Sequence, residues 1–133
     1  MSRHLDAVFV VFGLVLVLGG MTLGAVMAGS GDHGQQPTHA HVNLVGGVFS
    51  ILFGLAYRSW PALRTGMLPL VHLALHVVGV LVMVVGLAMM FGGTGETSLT
   101  TAFASGGSGA VMLGTLIFLF LFATRAFKET AAA

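Results

Sequence analysis

Residues 69–91 of the sequence, PLVHLALHVVGVLVMVVGLAMMF, contain no Asp, Glu, Lys or Arg. Roughly 20 apolar residues of α-helix cross a hydrocarbon core about 30 Å thick, so this run is long enough to span a bilayer. Pro69 opens the run, where its missing amide hydrogen costs nothing, and Gly92 follows the end. The stretch therefore predicts a transmembrane helix over about 69–91.

Three further stretches have the same character. They extend over about 6–29, 38–57 and 99–127, and loops rich in Gly, Pro, Gln or basic residues separate them. Of the 133 residues, 56% are hydrophobic and only 7% are charged, which excludes a soluble domain of this size. We predict an all-α, polytopic membrane protein: a single domain, residues 1–133, with four transmembrane helices in a bundle.

The basic residues predict how the chain is oriented. Arg3 precedes the first span, Arg58 and Arg64 lie between spans two and three, and Arg125 and Lys128 lie at the end of span four. Lys and Arg near helix ends are retained on the cytoplasmic side, so both termini are expected in the cytoplasm, with the protein in a prokaryotic inner membrane. The net charge of +1 does not indicate a nucleic-acid partner.

Histidine is the unusual residue in so apolar a chain. Six histidines are present, cysteine is absent, and four of the histidines fall inside predicted spans. Polar side chains in a membrane are costly and usually functional, and neutral imidazole is the commonest ligand of metals and haem iron. The four form an outer histidine pair, His39 and His41, and an inner histidine pair, His72 and His76.

The two members of the outer pair face different directions in a regular helix. At about 100° per residue, His39 and His41 project from nearly opposite sides and cannot chelate one ion. Both lie near the outer surface, whereas His76 lies about two turns from the cytoplasmic surface. One haem shared between the pairs would be strained, since their heights differ by on the order of 10 Å or more. His39 and His41 from different copies of the chain give a simpler haem site.

The inner pair shares one helix face. His72 and His76 are four residues apart, so their imidazoles can reach one small ion or lie along one cofactor. The same face is expected to continue through Gly79, Met83 and Met90, with the methionines packing rather than binding metal. Three roles are open for the inner pair: a copper site, a second haem site, or helix-to-helix hydrogen bonds.

The stretch 39–47, HAHVNLVGG, followed by Gly54, Tyr57 and Pro61, resembles the haem-ligand helices of the haem-copper oxidase catalytic subunit superfamily. That superfamily includes cytochrome c oxidases and nitric oxide reductases. Its catalytic subunit has twelve helices in three four-helix arcs about a pseudo-threefold axis, and the two imidazoles of one His-x-His serve two haems. The resemblance covers spans two and three and implies that this chain corresponds to one arc.

The resemblance also implies a cofactor and an assembly. We expect haem b, bound in a homotrimer by His39 of one copy and His41 of the next, with Asn43 of the same motif at the cofactor. The superfamily's copper-site motifs are not recognisable, so neither oxygen nor nitric oxide reduction is implied and no catalytic residue is predicted. The outer side offers no Arg that could bind the haem propionates. We therefore expect the free backbone N–H groups at the helix N-terminus near Thr38 to bind them.

Three functions are compatible with these features. The first is one-electron transfer by a bis-histidine b-type cytochrome, with a quinol or a periplasmic carrier as the unidentified redox partner. The second is a membrane protein that binds copper at the inner pair, or nitric oxide or oxygen at an open haem position. The third is an accessory structural subunit whose histidines join helices.

Overall fold

The computed structural model describes residues 4–126, and over this range it contains only helices and turns. The helices are α1, Leu5–Ser30; α2, Gln36–Ser59; α3, Leu68–Phe91; and α4, Thr97–Ala126. Each is long and apolar enough to cross a membrane. The all-α fold with four membrane-length helices is therefore as predicted.

The helices begin and end within two residues of the predicted spans wherever both ends are described. Proline lies in the first turn of α2 and of α3, and α1 ends at Gly31, whose φ of 72° is in the left-handed region. A short 3-10 helix, Pro61–Arg64, joins α2 to α3. The predicted end of span four at residue 127, together with Arg3 and Lys128, lies outside the described residues.

Helix α2 contains a π-helical segment, Val42–Val48, between two α-helical segments. The segment begins directly after His41. Its backbone hydrogen bonds join residues five apart, so its turns are wider than those of an α-helix. At the transition Asn43 Nδ2 donates to the carbonyl oxygen of His39 at 2.9 Å, so a side chain supplements the backbone there. A regular α-helix was expected through the whole span. This is correct for the residues before and after the segment, but not within it.

The four helices pack as two antiparallel pairs, α1 with α2 and α3 with α4. A Cβ atom at Gly13 would lie 2.7 Å from the carbonyl oxygen of Gly47, and one at Gly79 would lie 2.9 Å from that of Gly107. Such close backbone approach is the usual reason for small residues in membrane helices. Other glycines with another helix against them are Gly20, Gly24, Gly46, Gly54, Gly86 and Gly114.

Polar contacts join the two pairs and their connecting turns. At one end of the bundle, Gln35 Nε2 donates to the carbonyl oxygen of Ala88 at 2.9 Å. At the other end, Arg125 Nη1 donates to the carbonyl oxygen of Thr65 at 2.6 Å. Arg64 pairs with Asp6 at 4.0 Å at this same end. The described basic side chains therefore cluster where α2 ends and α3 begins.

Candidate functional site

His39 belongs to α2, and its ring packs against α1. Its Nδ1 is 2.8 Å from the carbonyl oxygen of Gly20, and because a carbonyl only accepts, Nδ1 carries the ring hydrogen. In the neutral form of the ring, as a metal ligand must be, Nε2 therefore carries the lone pair. A Cβ atom at Gly24 would lie 2.8 Å from Cε1 and 3.7 Å from Nε2 of this ring, so glycine at this position allows the imidazole to pack closely against α1.

His41 has the same tautomer but a different partner. Its Nδ1 is 2.8 Å from the carbonyl oxygen of Pro37, one turn earlier in its own helix. The ring is half-buried, and Nε2 again carries the lone pair. The outer pair thus contacts two different surroundings, α1 through His39 and the first turn of α2 through His41.

The two other residues predicted to contact a cofactor have partners inside the protein. Thr38 is 3% exposed, and its Oγ1 donates to Gln35 Oε1 at 2.7 Å, while Gln35 Nε2 bonds to Ala88 on α3. Asn43 donates to the carbonyl oxygen of His39. These contacts position the turn that carries the outer pair, and direct contact with a cofactor remains a prediction for Thr38 and Asn43.

The inner pair lies in the centre of the bundle, with both rings fully buried. The ring centroids of His72 and His76 are 6.0 Å apart. His72 Nδ1 is 2.8 Å from the hydroxyl oxygen of Tyr57, and His76 Nε2 is 2.9 Å from Oγ of Ser50. Both partners belong to α2, so the helix-to-helix hydrogen bonds that were one predicted role of the inner pair are present.

The second nitrogen of each inner ring has no hydrogen-bond partner among the described residues. Ser50 donates its one hydrogen to the carbonyl oxygen of Gly46 at 2.6 Å, so its oxygen must accept from His76 Nε2. His76 Nδ1 therefore carries a lone pair, and it is buried without a partner. His72 Nε2 is likewise buried and unpartnered. Such atoms are rare in native interiors and call for a physical explanation.

Aromatic rings enclose the inner pair. The Phe53 ring meets His72 and His76 edge-on, with centroid distances of 4.6 and 5.2 Å, and Phe9 lies 5.0 Å from His72. Phe118 of α4 closes the remaining side at 5.4 Å from His72. A second haem, another predicted role of the inner pair, would have to displace these rings.

The expected face of α3 is buried for most of its length. Met83 is 2% exposed and packs within the bundle, whereas Met90, in the last turn before α3 ends at Phe91, is 38% exposed. In a regular α-helix Met90 lies on the same side as His72, because residues 18 positions apart are separated by five full turns. The face through Gly79, Met83 and Met90 is therefore compatible with the helix, but it is exposed at Met90.

Two partners of the inner pair are missed by sequence reasoning. Serine at position 50 is a small residue of the kind that packs membrane helices, and Tyr57 enters the sequence analysis only through the family resemblance. A signal does exist, because these two hydroxyls are seven residues apart and so lie on one face of α2, as the two histidines do on α3. The spacing does not indicate that this face of α2 packs against the histidine face of α3.

Comparisons with protein-family models, with curated proteins and with solved structures find no match to this chain. The class that composition and fold define is a membrane protein with four helices long enough to cross a bilayer. Kinship with the haem-copper oxidase superfamily remains a prediction from residues 39–47 and the positions that follow them. Over residues 4–126, no group of three or more His, Asp or Glu side chains is placed to hold a metal ion.

Proposed function

We propose that this chain is a membrane b-type cytochrome that transfers single electrons. The proposal assigns the two axial ligands of each haem to His39 of one copy and His41 of a neighbouring copy. The observation that carries it is shared by both residues: each Nδ1 donates to a backbone carbonyl at 2.8 Å. Histidines that bind metals usually donate their other ring hydrogen in this way, which orients the ring and raises the basicity of the ligand nitrogen.

The directions of the two rings support a site between copies of the chain. His39 contacts α1, whereas His41 bonds within the first turn of α2, so the two rings are held in different surroundings, as expected if they serve different haems. A closed threefold ring of chains would form three equivalent sites, one at each seam. With two imidazoles on the iron, the haem supplies reversible one-electron chemistry and leaves no position for a gas.

The distribution of charge supports an orientation with both termini in the cytoplasm. Arg58, Arg64 and Arg125 belong to the end where α2 leads into α3, and the turns at the other end carry no Lys or Arg. This orientation puts the outer pair near the periplasmic surface. An electron donor or acceptor would therefore approach from the periplasm or from the outer leaflet of the membrane.

A spectrum of the purified full-length protein tests haem binding. We expect a low-spin reduced spectrum that carbon monoxide does not alter. His39→Ala and His41→Ala should each abolish this spectrum, whereas His33→Ala, in an exposed turn, should leave it unchanged. A shift with carbon monoxide would instead support an open haem position, and a colourless protein would support an accessory structural role.

Co-expression of two defective chains tests the site between copies. If His39→Ala and His41→Ala chains mix randomly in equal amounts, about a quarter of the seams regain one intact His39 and one intact His41. Haem per chain should therefore recover to about a quarter of the native value in the mixture, while each variant alone binds none. Ligation within one chain predicts no recovery, and a monomeric mass with haem bound would contradict the trimer.

A further inference from the structure

The inner pair is not used by the proposed haem site, and it has the features of a separate site. We propose that His72 Nε2 and His76 Nδ1 bind one soft monovalent cation, Cu(I) or Ag(I), in a two-coordinate complex. These are the two nitrogens that are buried without a partner. The inference does not depend on haem binding at the outer pair.

Each inner ring is oriented as a metal ligand by a hydroxyl on its other nitrogen. Ser50 accepts from His76 Nε2 because its own hydrogen is donated to Gly46, so His76 Nδ1 already has a free lone pair. In the bound state His72 Nδ1 donates to the Tyr57 oxygen, which leaves the lone pair on Nε2. Both rings stay neutral throughout, so the ion binds without release of a proton.

The separation of the rings is compatible with one shared ion. An imidazole that ligates at about 2.0–2.1 Å has its centroid about 3.2 Å from the metal, so two such rings have centroids no more than about 6.5 Å apart. The observed centroid distance between His72 and His76 is 6.0 Å. The spacing of four residues on one helix face is also that of helical histidines that bind one zinc ion in metalloproteases.

Charge and coordination number select the class of ion. No third His, Asp or Glu joins these rings among residues 4–126, so the site offers two neutral ligands, whereas zinc almost always takes four. Ions with a filled d shell and a single charge, Cu(I) and Ag(I), are stable with two. Their single charge also limits the cost of burial, because that cost rises with the square of the charge.

Titration with Ag(I) tests the site in the purified, haem-replete protein. After removal of loosely bound metal, we expect one silver ion per chain that survives a competing chelator. His72→Gln and His76→Gln should each abolish it. Tyr57→Phe, which keeps both ligands but removes the acceptor on Nδ1, should weaken it by about tenfold. Cu(I) added under anaerobic conditions should compete for the same site.

Two controls distinguish this site from other soft ligands. Met83→Leu removes the nearest buried thioether of α3 and should leave silver binding unchanged, as should the double substitution of His39 and His41 by Gln. The second control also separates this inference from the haem proposal. Silver retained by a His72→Gln, His76→Gln double variant would overturn the inference, as would a native protein that binds none.

Nitrogen NMR of ¹⁵N-histidine-labelled native protein gives a test that needs no variant. Silver should shift the ring-nitrogen signals of two of the six histidines and leave those of the other four unchanged. Signals that do not move, or that move for all histidines together, would contradict a defined site at the inner pair.

Discussion

A single hydroxyl determines the hydrogen-bonding state of a buried imidazole. Ser50 donates to the carbonyl oxygen of Gly46 within α2 and accepts from His76 on α3. The first bond is common for serine in a helix, but the second joins two helices in the interior of the bundle. Removal of this one oxygen would leave both nitrogens of the His76 ring without a partner.

We predict that Ser50→Ala lowers the free energy of unfolding by about 1 kcal/mol, the scale of an interhelical hydrogen bond in a membrane protein. Ser105→Ala is the matched control. Ser105 also donates to the carbonyl oxygen four residues earlier, but it is exposed and, among residues 4–126, has no hydrogen-bond partner on another helix. Reversible unfolding in mixed detergent micelles measures both. Equal effects would show that the His76 contact contributes nothing to stability.

At this scale the sequence identifies the histidines within the spans but not their hydrogen-bond partners. The four histidines within spans are evident because an apolar chain rarely retains them. The partners of His72 and His76 depend on how α2 and α3 are rotated about their axes, and α3 is too uniformly apolar for periodicity to determine its rotation. Likewise, the acceptor of His39 is a backbone carbonyl of Gly20, which no residue type identifies.

At the scale of elements, the helices differ in how far their neighbours approach. On α4, two adjacent glycines have opposite surroundings. A Cβ atom at Gly107 would collide with the backbone of Met83, whereas one at Gly106 would have no atom within 4 Å. Only one of the two is therefore required for the contact between α3 and α4.

We predict that Gly107→Ala lowers the free energy of unfolding by about 1–3 kcal/mol, because the helices must separate to admit the methyl group. Gly106→Ala adds the same methyl group to an open surface and should stay within about 0.5 kcal/mol of the native value. Unfolding of both variants under identical conditions checks this. A larger effect at position 106 would mean that another surface, such as a second copy, covers it.

The helix ends are predictable from the sequence and the interior of α2 is not. Charges, glycines and prolines mark the limits of each apolar run, and the helices end within two residues of those marks. The π-helical segment carries no such mark. Gly46 and Gly47 are buried against other helices within it, so the local geometry follows from tertiary packing that a single span does not encode.

At the scale of the whole molecule, the chain permits a direct test of orientation because it contains no cysteine. His33→Cys introduces a thiol in the exposed turn after α1, and Met67→Cys introduces one before α3, where the side chain is 72% exposed. In intact cells a membrane-impermeant maleimide should label only the first. The second should react only after permeabilisation. The reverse pattern would contradict the proposed orientation.

The packing of two helix pairs has a consequence for biogenesis. Glycines allow close backbone approach within each pair, whereas between the pairs the inner histidines of α3 meet hydroxyls of α2. Synthesis proceeds from the N-terminus, so α1 and α2 can associate in the lipid before α3 leaves the ribosome. The nascent hairpin then serves as a template whose Ser50 and Tyr57 receive the incoming imidazoles, which limits the time that those rings face lipid unbonded.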